Sequence, residues 1–155
     1  MSEGRYWISR RLERRTVLES GEAGVNEMKI DHIGIAVNDL ETALKTFTAL
    51  GLKVHARGTL ESQQVEIISL GIGESTIELL KPTGAGAIQK FLSTKGEGIH
   101  HIALAVDNLE AALADARAKG IRLIDEKPRI GFGDKKIAFI HPGGTHGVLV
   151  ELVQG

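Results

Sequence analysis

Residues 100–113 read HHIALAVDNLEAAL, and residues 31–44 read DHIGIAVNDLETAL. At an offset of 69 the two stretches match at His32 and His101, Ile33 and Ile102, Ala36-Val37 and Ala105-Val106, Leu40-Glu41 and Leu109-Glu110, and Ala43-Leu44 and Ala112-Leu113. Each opens with the alternation of a strand and continues as an amphipathic helix. Asn38 and Asp107 fall where an N-cap is expected, with Glu41 and Glu110 three residues later, and Gly51 and Gly120 stand where each helix must end. The chain is therefore two copies of one supersecondary unit.

Beyond each helix the sequence is rich in strand signals. LKVHARG, QQVEIISLG and STIELLKP follow the first helix, and IRLIDEKP, KKIAFIHP and HGVLVELVQ follow the second. The last strands align too, which puts Glu78 opposite Glu151 at an offset of 73, and the four extra residues fall in the loop around PRIGFGDKK. The expected fold class is α+β: two tandem β-α-β-β-β modules over about 29–82 and 98–154. GAGAIQKFLSTKG supplies a linking helix over about 84–95.

Composition narrows the function. A chain of 155 residues with 42% hydrophobic and 25% charged residues suits one compact domain, here placed at 28–155. A net charge of −1 without a dense basic run argues against a nucleic-acid partner. No apolar run is long enough to span a bilayer, so no membrane is expected, and the cytoplasm is the simplest location. With no cysteine there is no disulfide, thiol nucleophile or thiolate metal site. Residues 1–27, with five arginines and a Gly/Glu/Ala patch, read as a flexible extension rather than a targeting peptide.

Packing does not explain one feature of the repeat. His32, Gly34 and Ala36 share one face of the first strand, opposite Ile33, Ile35 and Val37, and His101, Ala103 and Ala105 repeat this against Ile102, Leu104 and Val106. The large aliphatics belong under the helix, leaving the histidines among small residues on the other face. His100, next to His101, then belongs at the strand's edge. Glu78 and Glu151 interrupt apolar strands, where a carboxylate is costly unless solvated, paired or bound to metal. Two related modules bring His32, Glu78, His101 and Glu151 to one concave surface, and such a set suits a divalent metal with open positions.

These motifs, IDHIGIAVNDLE, QQVEI, IELLKP, GEGIHHIALAVDNLE, KIAFIHP and THGVLVEL, resemble the vicinal oxygen chelate (glyoxalase) superfamily, and within it the methylmalonyl-CoA epimerase family, from about Ile30 to Gln154. The resemblance implies an open barrel around a metal held by His32, Glu78, His101 and Glu151, some relatives carrying Gln where this chain has Glu78. It implies Co2+ first, with Mn2+, Ni2+, Zn2+ or Mg2+ as alternatives. The implied reaction interconverts the epimers of an acyl-CoA substrate by moving the C2 proton, with Glu66 on one face and Glu151 on the other, in a homodimer. His141, His146, Lys135, Lys136 and Arg129 are weaker candidates for substrate contact. Competing readings are a glyoxalase I-type lactoylglutathione lyase, a dioxygenase, and a non-catalytic small-molecule-binding module of the same fold.

Overall fold

A computed structural model describes residues 28–155, so the extension expected over 1–27 lies outside the described residues. The first module runs β1 (Lys29–Ala36), α1 (Leu40–Ala49), β2 (Lys53–Leu60), β3 (Val65–Ile72) and β4 (Ser75–Pro82). α2 (Ala87–Lys95) links it to β5 (Gly98–Ala105), α3 (Leu109–Ala118), β6 (Arg129–Ile130), β7 (Lys136–Ile140) and β8 (Val150–Gln154). The strands form one curled sheet in the order β2-β3-β4-β1-β5-β8-β7-β6. β1 and β5 pair antiparallel at its centre, and each pairs parallel with the last strand of its own module. The expected duplication and fold class are both present.

The convex face carries the helices. Val37, Leu40, Ile68, Leu70 and Leu79 are buried under α1, and Leu109, Leu113, Ala138, Ile140 and Leu152 form the matching cluster under α3. Burial of one such Leu or Ile contributes about 1.5–3 kcal/mol, so each module holds its own helix firmly. α2 instead packs over one end of the concave face, where Ile88 meets Ala36, Val65, Ile67 and Leu80. The free edges approach one another: a Cβ on Gly58 would lie 3.0 Å from the Phe132 ring.

Two local expectations are corrected. The N-caps are Asp39 and Asn108, one residue later than Asn38 and Asp107; their side chains accept from Thr42 N and Ala111 N. Glu41 and Glu110 thus sit in the first turn without closing a capping box. Gly51 and Gly120 do end the helices, at φ +103° and +76°. The strand expected over IRLIDEKP is absent. Only Leu123 bridges Ile140, and the Asp125 carboxylate takes the Phe139 N–H that a ladder partner would need. β6 is the two-residue strand Arg129–Ile130, directly after that segment.

Among the described residues, three β-bulges interrupt the alternation. Between Ile30 and His32 the register leaves Asp31 extra on β1, and between Gly34 and Ile35 it leaves His100 extra on β5. Asp31 and His100 are equivalent in the repeat. The third bulge, between Val54 and Ala56, leaves His55 extra on edge strand β2. An extra residue locally re-aims its side chain.

Candidate metal centre and substrate cavity

Two adjacent cross-strand rows build the site. One runs Ala56–Ser69–Glu78–Gly34–His101, the other Gly71–Thr76–His32–Ala103–Glu151–Phe139. Residues in such rows share a face, so the pairings put His32, Glu78, His101 and Glu151 at the corners of a small patch on four central strands. Gly34 and Ala103 lie opposite His101 and His32 and leave room for the rings. The patch lines a cavity of about 700 Å³ whose other walls include Leu60, Ile67, Leu80 and Phe132. That size suits a small organic ligand or part of a larger one.

All four side chains are buried. His32 Nε2 lies 3.3 Å from a Glu78 oxygen and 3.7 Å from a Glu151 oxygen, and His101 Nε2 lies 3.4 Å from the other Glu151 oxygen. Donor atoms of His32, Glu78 and His101 fall within 4.8 Å of one another. The two Nε2 atoms are 3.0 Å apart. His32 Nδ1 donates to Asp31 Oδ2 at 2.7 Å, and His101 Nδ1 meets His100 Nδ1 at 2.9 Å. If His101 Nδ1 donates as well, two Nε2 lone pairs face each other beside two carboxylates; if His100 Nδ1 donates instead, His101 Nε2–H donates to His32 Nε2. A proton or a cation between the rings relieves the first arrangement.

The proton affinities agree. Burial, opposed in part by His32, pushes the Glu151 carboxyl up to about 7, and burial also raises Glu78. Burial opposes charge on His32, but the Asp31 hydrogen bond with the Glu78 and Glu151 charges raises it overall. The His32 hydrogen bond lowers Asp31, whereas burial, then His32 and His100, hold His101 well below the usual range. Raised proton affinity at His32, Glu78 and Glu151 marks groups that a proton or a divalent cation would both stabilise. Neutral imidazoles oriented through Nδ1, with carboxylates beside them, are a fitting donor set for such an ion.

Other expected residues divide. Lys135 lines the cavity and pairs with Asp31 at 3.3 Å; Arg129 also lines it, lies over the Phe139 ring and pairs with Asp125. Lys136 is outside this cavity, in a groove beside α3. His141 and His146 are also outside it: His141 Nδ1 accepts from Gly143 N in its own turn, and His146 sits at φ 55°. Glu66 is the main correction. Val65, Ile67 and Ser69 face the cavity, so Glu66 projects to the α1 side, where Arg57 Nη2 lies 3.5 Å away and also binds Glu41. It is not among the residues that line the cavity. His100 is corrected the other way: the bulge brings it into the same cavity as His101. The sequence reading missed Asp31 and His55 as cavity residues. An acidic residue directly before the repeated histidine was the available signal for Asp31; nothing in the apolar pattern marked His55.

Comparison with known proteins matches residues 31–139 to the Glyoxalase/Bleomycin resistance protein/Dioxygenase superfamily. The chain is 39% identical over 132 residues to human mitochondrial methylmalonyl-CoA epimerase, covering 81% of this chain and 73% of that one. It is 36% identical over 130 residues to the ethylmalonyl-CoA/methylmalonyl-CoA epimerase of Cereibacter sphaeroides, covering 81% and 97%. A solved methylmalonyl-CoA epimerase in complex with methylmalonyl-CoA and NH4+ superposes with a TM-score of 0.80 at 40% identity, covering 83% of this chain and 94% of that one.

Proposed function

The chain belongs to the glyoxalase/bleomycin resistance protein/dioxygenase superfamily, within its methylmalonyl-CoA epimerases, and on that premise we propose that it interconverts the C2 epimers of methylmalonyl-CoA. The observation that carries this reading is the buried His32–Glu78–His101–Glu151 cluster in a cavity, in a chain so similar to a solved epimerase–substrate complex. In this proposal the four side chains hold a divalent cation, cobalt first among the choices. When bound, the cation supplies Lewis-acid stabilisation of negative charge building on substrate oxygens.

The protein's own groups do the rest. The C2 proton lies between two carbonyl groups and is acidic enough for a carboxylate to remove once the resulting enolate is stabilised. Glu151, a buried carboxylate lining the cavity, is the group of the cluster that can take or return that proton. Asp31 keeps His32 in one tautomer, Nε2 toward the site. Leu60, Ile67 and Phe132 give the substrate's methyl and thioester an apolar wall that limits water at C2. Lys135, half-exposed beside Asp31, adds a cation at the cavity. The resemblance carries a homodimer into this reading, with each copy holding a whole site, since one chain supplies all four cluster residues.

The test is proton exchange at C2 of methylmalonyl-CoA in heavy water, followed by NMR with and without chelator. Deuterium entry with epimerisation, lost on chelation, is expected. Turnover of a glutathione hemithioacetal with no acyl-CoA exchange would replace this reading by the lyase.

A further inference from the structure

Epimerisation needs a proton carrier on each side of C2, and the described structure supplies them unevenly. Asp31, His32, Glu78, His100, His101 and Glu151 crowd one patch on the central strands. A substrate lying on that patch turns its other side toward β2, β3 and the loop around Phe132. Glu66 is excluded from that wall because it faces α1. The remaining ionisable groups lining the cavity are Arg129, Lys135 and His55. Arg129 is paired with Asp125, and Lys135 with Asp31. Among the described residues His55 has neither a hydrogen bond nor an ion pair.

The bulge makes His55 a cavity residue. Regular alternation would turn His55 and Ala56 to opposite faces, yet both line the cavity. Ala56 lies in the row of Glu78 and His101, and Gly71, in the row of His32 and Glu151, pairs with Lys53. His55 therefore sits level with the cluster, between its two rows. It is two strands from Glu78, roughly 10 Å at ~4.8 Å per strand, room enough for a substrate between.

We propose that His55 is a further catalytic residue, carrying the proton on the side of the substrate away from Glu151. This rests on the epimerase reading. In one direction the C2–H bond breaks, its proton passes to the Glu151 carboxylate, and the electron pair stays on C2, delocalised as the enolate. A new C2–H bond then forms with a proton from the His55 imidazolium, whose N–H electron pair returns to the ring. The other epimer reacts by the reverse transfers. Each turnover leaves one group a proton richer and the other a proton poorer, and solvent at the open rim resets both. Imidazole suits the role because each ring nitrogen can either donate or accept a proton.

The experiment uses the full chain loaded with Co2+, wild type and His55→Gln, each given the two methylmalonyl-CoA epimers separately in heavy water. In the wild type both epimers exchange and interconvert. In the variant interconversion should fall at least about 100-fold, while one epimer still gains deuterium with its configuration retained and the other does not. Equal cobalt stoichiometry in both proteins excludes damage to the cluster. Interconversion within threefold of wild type, loss of exchange from both epimers, or a raised KM at unchanged kcat would each overturn the assignment. A wild type that exchanges neither epimer would instead remove the epimerase reading beneath it.

Discussion

Replacing Gly34 with alanine would push a methyl group into the His101 imidazole. An ideal Cβ at Gly34 stands 2.3 Å from His101 Cε1, 2.6 Å from Nδ1 and 2.9 Å from Nε2. Bringing 2.3 Å out to the 3.0 Å floor for such contacts requires the ring to retreat by roughly 0.7 Å. It has little space for this, since His101 is buried with the Phe139 ring 5.7 Å away edge to face and His100 against its Nδ1. Metal–ligand distances tolerate about 0.2 Å, so a shift of this size takes His101 out of a metal site. The expected result is at least a tenfold loss of Co2+ affinity, with about 1–3 kcal/mol of overpacking in the metal-free fold. For a domain of this size that corresponds to melting roughly 2–4 °C lower per kcal/mol. Cobalt affinity is read by competition with a chromophoric chelator, and stability by thermal melting in EDTA. Gly71→Ala is the control, because nothing lies within 4 Å of its Cβ position. Cobalt binding by Gly34→Ala within twofold of wild type would refute the geometry argued here.

Three further outcomes follow from the same site. Glu151→Gln should stabilise the metal-free protein: the folded carboxyl is raised from 4.5 to about 7, so its stabilising contribution is full below about 4.5 and fades as pH rises through 7. The gap between variant and wild type, measured by urea unfolding in EDTA, should widen over that window to at most about 3 kcal/mol. Asp31→Asn should weaken Co2+ binding roughly 10- to 100-fold without removing a ligand, because it frees the His32 ring, and chelator competition would detect it. Glu66→Gln should leave C2 exchange within about threefold of wild type, since a side chain bound to Arg57 on the α1 face takes no part in proton transfer; a hundredfold loss would restore the sequence-based assignment.

The success and failure of sequence reading here have one physical source. On β1 and β5 large aliphatics occupy one face only, so parity identifies the cavity face, and His32 and His101 lie where the repeat puts them. On β3 both faces are apolar: Ile67 packs toward the cavity and Ile68 and Leu70 toward α1. Alternation correctly separated Glu66 from Val65 and Ile67, but could not say which side held the substrate. The pairing of Ser69 with Glu78 decides it, and that pairing is a tertiary fact. The bulges were illegible for another reason: one extra residue barely alters an apolar pattern yet reverses the direction of a side chain. Asp31, His100 and His55 all enter the cavity this way. The missing strand over 121–128 depended on Asp125 reaching a backbone N–H, a competition that strand propensity does not register.

The departures from symmetry matter as much as the duplication. Asp31 and His100 occupy equivalent bulges and each engages Nδ1 of the neighbouring histidine. One is an anion, itself held charged by the His32 hydrogen bond and by Lys135; the other is an imidazole that burial and Lys95 lower to about 4, hence neutral. The two central histidines are shifted in opposite directions: burial, then His32 and last His100, lower His101, whereas at His32 the Asp31 hydrogen bond with the Glu78 and Glu151 charges outweighs burial. As donors they are unequal too, since a carboxylate behind the ring makes His32 the more basic ligand. Two related strands thus build a four-cornered site that is electronically lopsided, richer in electrons on the His32 side. A substrate with two chemically different carbonyl arms meets different surroundings at each, so a single difference at the bulge can favour one orientation in a site whose backbone is nearly symmetric.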